Sequence, residues 1–324
     1  MAEVRPFRFI ANVPTPAQPV GAWKEQVRRI EASGFSAVAI ADHFTGGYTL
    51  EPMVALTAAA MCTTTLRVQT AVLGNDYRHP VLTHRMAATL DVLSGGRVEL
   101  GVGAGWMASD YGAAGIPFEP PGRRIDRLEE TIAVLKGLFG HEPFSFHGSH
   151  YSISELVGVP AAVQSPHPPL LIGGGGRRVL RLAGREADIV GINANLGAGV
   201  GAGSIVDVSA EGVLEKVGWA REGAVSAGRP PGDLELAMAQ WLLHVTPSPT
   251  EAQTVLDKVG ARTGLDPSWL EGAPGVLVGS VARCIEKVHE LRDRFGISCV
   301  QLDAGPRSTA SIDAVAPLVA ALAG

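Results

Sequence analysis

Hydrophobic residues along this chain alternate between short β-branched runs and longer stretches with a helical period. The short runs predict strands and the longer stretches predict helices. Eight strands are predicted, beginning near residues 7, 37, 66, 97, 169, 187, 234 and 297, with the seventh covering 234–245. The predicted helices cover 21–33, 52–64, 80–93, 123–139, 177–185, 211–227, 250–263 and 281–295.

This alternation of strand and helix predicts the fold class. Eight parallel strands joined by crossover helices form a (β/α)₈ barrel, and we expect one such domain over residues 1–324. A doubly wound open sheet is the alternative. Three segments interrupt the repeat: 107–121 is predicted as a loop, 141–168 contains a possible hairpin, and 193–210 is glycine-rich. Long loops of this kind in a compact barrel are commonly functional.

Composition narrows the function classes. Hydrophobic residues make up 46% and charged residues 18%, which is typical of a compact α/β enzyme. The formal net charge is −5 and no basic stripe is present, which argues against nucleic-acid binding. Three cysteines without a CxxC spacing, and histidines without HExxH spacing, predict neither disulfides nor a metal site. The first residues lack a signal-peptide pattern and no apolar run reaches membrane length, so we expect a cytoplasmic protein.

Candidate functional residues follow the predicted strands, because barrel loops converge at the carboxyl ends of the strands. They are Asn12, Asp42-His43, Ala71-Val72, Gly105-Trp106, and the run Gly173, Gly174, Gly175 and Gly176 with Arg177.

The glycine run is the most informative of these segments. A strand, four glycines and a helix start would expose backbone N–H groups at a positive helix end, which suits a phosphate. Arg177 or Arg178 would add charge. The alternative is a tightly packed strand-to-helix turn, for which glycine is equally suited. The run is not a Rossmann fingerprint, because no acidic residue closes a following strand at the required position.

Asp42 and His43 are the candidate acid/base residues. A histidine at a barrel mouth exchanges protons near neutral pH, and a neighbouring carboxylate orients or tunes it. The alternative is that Asp42 caps a turn and His43 only packs. Trp106 either covers a planar ring or packs at the barrel rim. Arg123, Arg124 and Arg127 are interpreted as a solvated helix face.

Several of these segments together resemble the luciferase-like monooxygenase superfamily, and specifically its coenzyme F420-dependent oxidoreductases. The matching segments appear in the family's order, and TLDVLSGGR with LGVGAGW is the most specific. They are GFSAVAIADHF (34–44), RVQTAVLG (67–74), HPVLTHRMAATLDVLSGGRVELGVGAGW (79–106), GRRIDRLEETIAVLKGLF (122–139) and LLIGGGGRRVLRLAGREADIVGIN (170–193).

The resemblance implies a barrel with insertions after strands four and six, with the cofactor at the C-terminal face. It implies that Asp42 and His43 lie beside the deazaflavin, and that Ala71-Val72 form a bulge behind its ring, often with a non-prolyl cis peptide. It also implies that Gly175, Gly176 and the Arg177 amide hold the phosphate. Asn12, Gly105, Trp106, Gly173 and Gly174 are the further expected cofactor contacts.

The resemblance further implies hydride transfer between F420 and a small organic substrate, in a homodimer. One departure is Trp106, which stands where F420-dependent sugar-phosphate and alcohol dehydrogenases commonly have an acid. An FMN-dependent monooxygenase is the alternative, since both cofactors present a phosphate. A non-catalytic flavin-binding protein and a cofactor-free phosphate-binding lyase are further alternatives.

Overall fold

A closed ring of parallel strands, surrounded by helices, forms the centre of the molecule. The computed structural model describes residues 5–14, 19–197, 199, 201–302 and 312–323. Its strands are β1 (Arg8–Asn12), β2 (Ala37–Ile40), β3 (Arg67–Thr70), β4 (Leu73–Gly74), β5 (Val98–Gly103), β6 (Phe144–His147), β7 (Ser152–Leu156), β8 (Leu170–Gly174), β9 (Ile189–Ile192), β10 (Glu235–Ala239), β11 (Leu242–Val245), β12 (Val276–Gly279) and β13 (Ile297–Gln301). Its helices are α1 (Val20–Ala32), α2 (Pro52–Met61), α3 (Pro80–Ser94), α4 (Ala108–Ala114), α5 (Pro121–Phe139), α6 (Arg177–Glu186), α7 (Ala202–Val206), α8 (Ala210–Ser226), α9 (Pro249–Thr263), α10 (Pro267–Gly272), α11 (Val281–Phe295) and α12 (Ile312–Leu322).

The ring runs β1-β2-β3-β5-β8-β9-β10-β13 and returns to β1. Its closing pair is β3 with β5, where Val68 aligns with Val98 and Gln69 with Glu99. All eight predicted strands take part in the ring, so the predicted (β/α)₈ barrel is confirmed. The doubly wound alternative is excluded, because an open sheet would leave two edge strands unpaired. The predicted hairpin is β6 with β7, and it lies in the insertion after the fourth ring strand.

Two of the sequence predictions are wrong in detail. The predicted loop 107–121 contains helix α4, which is short, rich in Ala, Ser and Gly, and therefore lacks a recognisable apolar period. The predicted strand 234–245 is two strands, β10 in the barrel and β11 outside it. The chain leaves the barrel at Trp241, whose amide bonds the Gly275 carbonyl, and β11 then pairs with β12. Neither β12, α10 nor α12 was predicted.

Charged residues fill the amino-terminal end of the barrel interior. Arg8 on β1 bonds Glu99 on β5, which is not a neighbouring strand, and also Glu235 on β10 (2.6 Å). These contacts therefore cross the ring. Glu99 also accepts from Arg67 (2.6 Å) and Gln69 (2.6 Å). Burial alone would lower the pKa of Arg8, but the two carboxylates raise it above its usual value, so the guanidinium stays charged.

The closing strands β3 and β5 approach closely beside a break in the third strand. A β-carbon at Gly101 would lie 1.9 Å from the Thr70 carbonyl oxygen, so only glycine fits there. The Thr70 hydroxyl accepts from the Gly101 amide (2.7 Å) and donates to its carbonyl (2.9 Å). One side chain thus supplies the hydrogen bonds that an uninterrupted strand would provide.

We predict that Thr70→Val lowers the free energy of unfolding by about 2–4 kcal/mol, because it leaves two buried backbone groups of Gly101 without a partner. Thr70→Ser keeps the hydroxyl and is the matched control, with an expected loss of about 1 kcal/mol. Urea denaturation measures both variants. Equal losses would show that the methyl group, and not the hydroxyl, stabilises this closure.

His84 on α3 is a buried histidine that packs against the Phe139 ring, with ring centroids 4.5 Å apart. Its Nε2 has no hydrogen-bond partner within the described part of the chain. Burial, with a smaller contribution from His141, lowers the pKa of His84 to about 4. The folded protein therefore holds a neutral ring at pH values where an unfolded chain would protonate it.

We predict from this that stability falls as the pH decreases from about 6.5 towards 4, by at most about 1.4 kcal/mol per unit from this residue. His84→Leu should flatten that slope, because leucine binds no proton in either state. His147→Leu, at an exposed position on β6, should leave it unchanged. The measurement is urea denaturation at several pH values, and an unaltered slope in His84→Leu would contradict the prediction.

Candidate active site

His43, after strand β2, is held by a carboxylate from the segment after β5. Its Nδ1 lies 2.6 Å from Oδ2 of Asp110, which belongs to the first turn of α4. The rings of Tyr48 and Trp106 lie beside it, with centroids 4.6 and 5.6 Å away. Asp110 is fully buried, and His43 keeps 12% of its side chain exposed. The two residues form a histidine–carboxylate pair at the barrel mouth, with Nε2 left for exchange with a ligand.

Asp42, the neighbour of His43 in sequence, faces a different set of groups. Its carboxylate accepts from the Gly74 amide (3.0 Å) and forms an ion pair with Arg78. Arg78 in turn bonds Glu51 (2.9 Å) at the start of α2. Asp42 therefore joins the ends of β2 and β4, and the carboxylate bonded to His43 is Asp110.

Ala71 and Val72 form the break between β3 and β4, and the peptide bond between them is cis. The Val72 side chain points towards glycines on the neighbouring strands. A β-carbon added to Gly103 would lie 2.7 Å from Val72 Cγ2, and one added to Gly173 would lie 3.6 Å from Val72 Cγ1. Val72 thus lies against β5 and β8, and the glycines make room for it.

Gly105 and Trp106 lie in the turn after β5. Gly105 has a φ of 72°, and a β-carbon there would meet the Tyr111 hydroxyl at 2.0 Å. Arg124 donates to the carbonyl oxygens of Ala104 (3.2 Å) and Gly105, and packs over the Phe118 ring. Arg124 is buried, so its predicted place on a solvated helix face is wrong. It fixes the turn that presents Trp106 to His43.

Two further polar side chains lie at neighbouring strand ends. Asn12 ends β1 and Gln301 ends β13. The Oδ1 atom of Asn12 accepts a hydrogen bond from Nε2 of Gln301 (2.7 Å). Gln301 was not among the predicted site residues. Asn193 follows β9, with its Nδ2 atom 3.4 Å from the position of a β-carbon at Gly173. These carboxamides add hydrogen-bonding groups to the barrel mouth: Asn12 and Gln301 lie on the two strands that follow β2 around the ring, and Asn193 lies across it.

The glycine run is tightly packed at Gly174 and Gly175 and open at Gly176. A β-carbon added to Gly174 would lie 2.2 Å from the Val179 side chain, and one added to Gly175 would lie 2.2 Å from the Ala194 backbone. Packing therefore requires glycine at both positions. At Gly176 the nearest atom, Asn195 Nδ2, would be 4.0 Å away. Gly176 is the N-cap of α6, with no side-chain cap. Among the described residues no side chain caps the first amides of α6, and N–H groups at a helix start have no acceptor within the helix.

The cations around this run are already paired. The Arg177 and Arg178 side chains turn to Glu222 (3.2 Å) and Asp126. The third cation is Lys216, which is buried behind the run. It donates to the Gly175 carbonyl (2.6 Å) and pairs with Asp207 (2.8 Å). An anion at Gly176 would thus be attracted chiefly by backbone N–H groups and the helix dipole.

Sequence reasoning missed Asp110, Gln301, Arg124 and Lys216. Asp110 and Arg124 carried a weak signal, since both belong to the segments that the resemblance covers or borders. Within the described ranges there is no group of His, Cys, Asp and Glu that could hold a metal ion. None of the helices in those ranges is long and apolar enough to span a membrane.

Comparison with known proteins finds two kinds of relative, a monooxygenase and a reductase. The chain is 33% identical over 169 residues to an FMNH2-dependent dimethylsulfone monooxygenase of Pseudomonas putida, covering 51% of this chain and 46% of that protein. It is 30% identical over 180 residues to a 5,10-methylenetetrahydromethanopterin reductase of Methanolobus tindarius, covering 56% and 52%. The chain thus matches about half the length of these curated relatives.

The fold comparison covers nearly the whole chain. The structure of a coenzyme F420-dependent tetrahydromethanopterin reductase from Methanopyrus kandleri superposes with a TM-score of 0.76 at 19% identity, covering 97% of this chain and 98% of that one. At this identity the likeness shows the shared fold. The family model for luciferase-like monooxygenases matches residues 5–274. This chain therefore belongs to the luciferase-like monooxygenase family.

Proposed function

We propose that this protein is an F420-dependent oxidoreductase that transfers hydride between the deazaflavin and a small organic substrate. The observation that carries the proposal is the charge balance at the glycine run. Backbone amides would be the phosphate donors there, because Arg177, Arg178 and Lys216 are each paired with a carboxylate.

The charge of the ligand phosphate decides between the two cofactors. F420 carries its phosphate as a diester with a single negative charge. FMN carries a monoester, whose second proton leaves near pH 6, so it holds close to two negative charges at pH 7. Helix-terminal amides attract either anion, but the second charge of a monoester gains more from an unpaired cation beside it than a diester does. A cradle whose cations are already paired therefore favours the diester.

The chain's own residues would divide the remaining work at the mouth. The amides that follow Gly176 would hold the phosphate, and Val72 would support the ring from behind. Asp42 would fix the Gly74 backbone that follows Val72. Asn12 and Trp106 would border the cofactor, and His43 would exchange a proton at Nε2. The cofactor, when bound, supplies the hydride chemistry that side chains lack.

We predict that the purified protein binds F420 with a micromolar dissociation constant and FMN only in the millimolar range. Each cofactor is titrated separately while the intrinsic tryptophan fluorescence is followed. Tighter binding of FMN than of F420 would contradict the proposal and favour an FMN-dependent monooxygenase. Binding without any reoxidation of the reduced cofactor, by oxygen or by a substrate library, would favour a non-catalytic flavin-binding protein.

A charge variant sharpens this titration. Glu222→Gln frees Arg177 beside the start of α6, so FMN affinity should rise several-fold more than F420 affinity. The matched control is Glu25→Gln, which makes the same charge change on α1.

We further predict that Gly176→Asp weakens F420 binding at least tenfold without lowering the melting temperature. Gly176 has φ −97° and ψ 153°, the extended conformation of an N-cap, and aspartate is among the best N-cap residues. Its carboxylate would bond the α6 amides that the phosphate needs and would repel the anion. Gly232→Asp, at an exposed glycine before β10, is the control for charge alone. Unchanged F420 binding in Gly176→Asp would show that the phosphate lies elsewhere.

A further inference from the structure

Asp110 is the most heavily engaged carboxylate of the site, although its side chain is fully buried. Its Oδ1 accepts from the Thr45 amide (2.8 Å), the Thr45 hydroxyl (2.6 Å) and the Phe44 amide (3.2 Å). Its Oδ2 faces His43 Nδ1 (2.6 Å) and, more distantly, the Tyr77 hydroxyl (3.4 Å). The two oxygens thus have different tasks: one holds the backbone after His43, and the other holds the ring.

The charge state of Asp110 decides which nitrogen of His43 carries the proton. Burial would raise the pKa of Asp110, but hydrogen bonds from Thr45 and His43 lower it below its usual value. The carboxylate is therefore ionised and can only accept. Nδ1 of His43 must then donate, which leaves the lone pair of a neutral ring on Nε2.

The other groups around His43 do not compete with Asp110 for this task. Burial, together with the charge of Asp110, raises the pKa of Tyr48, and burial is also the main cause that raises the pKa of Tyr77, so both remain neutral phenols. Asp42 is occupied by Arg78, and Trp106 carries no titratable group. Among the described residues packed on the ring, Asp110 is the group that bears a negative charge towards it.

We propose that Asp110 is a positioning residue, which holds His43 as the Nδ1–H tautomer and thereby makes Nε2 the nitrogen that exchanges a proton at the barrel mouth. It does this from α4, so the insertion after β5 and the acid/base residue after β2 act as one unit. The proposal rests on the proposed function for its consequence in turnover. The tautomer of His43 itself does not depend on the cofactor, so it is measured in the cofactor-free protein.

Asparagine at this position would have a defined orientation. Because Oδ1 accepts from two backbone amides and a hydroxyl, the oxygen of Asp110→Asn should take that place. Its NH2 group would then occupy the place of Oδ2 and donate to His43 Nδ1. The ring would be forced into the opposite tautomer, with the proton on Nε2, in a fold of nearly unchanged shape.

The test is long-range proton–nitrogen NMR of cofactor-free protein with ¹⁵N-labelled histidine, at alkaline pH where the ring is neutral. His43→Gln identifies the signal. We expect Nδ1–H in the wild type and Nε2–H in Asp110→Asn. The control Thr45→Val removes one donor to Asp110 and should keep the wild-type tautomer.

Two results would overturn the proposal: Nε2–H in the wild type, or Nδ1–H retained in Asp110→Asn. The wild-type spectrum alone decides the case if the asparagine variant does not fold. F420 and FMN titrations are independent of this readout, so failure of the tautomer and failure of the proposed cofactor are distinguishable. If both hold, Asp110→Asn should bind F420 within about twofold of wild type and lose at least about 100-fold in turnover.

Discussion

The close approach of β3 and β5 is the constraint on which the rest of the molecule depends. Because Gly101 has no side chain, the third and fourth ring strands meet, and the Thr70 hydroxyl completes their hydrogen bonds. The barrel therefore closes although the third strand breaks immediately afterwards, at Ala71 and Val72. At the break the Val72 side chain lies against Gly103 of β5 and Gly173 of β8. Closure of the fold and the shape of the site thus have the same physical origin.

The site itself is assembled from three loops by two carboxylates. Asp42 joins the end of β2 to β4, and Asp110 joins the residues after β2 to the insertion that follows β5. His43 lies between these two connections. The opposite end of the barrel interior holds the crossing ion pairs of Arg8, so the charged residues that span the ring are separated from Asp42, His43 and Asp110 at the mouth. This separation lets the mouth carry polar groups without weakening the packing below it.

Much of the fold could be predicted from the sequence, because each barrel strand is a short apolar run between helical stretches. The ends of the predicted strands also place His43, Trp106 and the glycine run at one end of the barrel, where the structure has them. Helix α4 and Asp110 could not be predicted in this way. α4 has too few apolar residues to show a period, and Asp110 meets His43 only because the barrel brings together loops 67 residues apart. The predicted exposure of Arg124 was wrong for a related reason, because a charged residue on a charged helix gives no local sign that it is buried.

Gly175 and Gly176 are adjacent and identical, yet they are constrained by different things. At Gly175 the protein's own backbone excludes a side chain, whereas at Gly176 the space is open and the backbone angles suit other residues. Natural selection should therefore act on them separately. If the amides after Gly176 hold a phosphate as proposed, Gly175 should persist while Gly176 varies in lineages that kept the barrel without that ligand. This one position would then record, in living sequences, where members of the family changed from catalysis to another use.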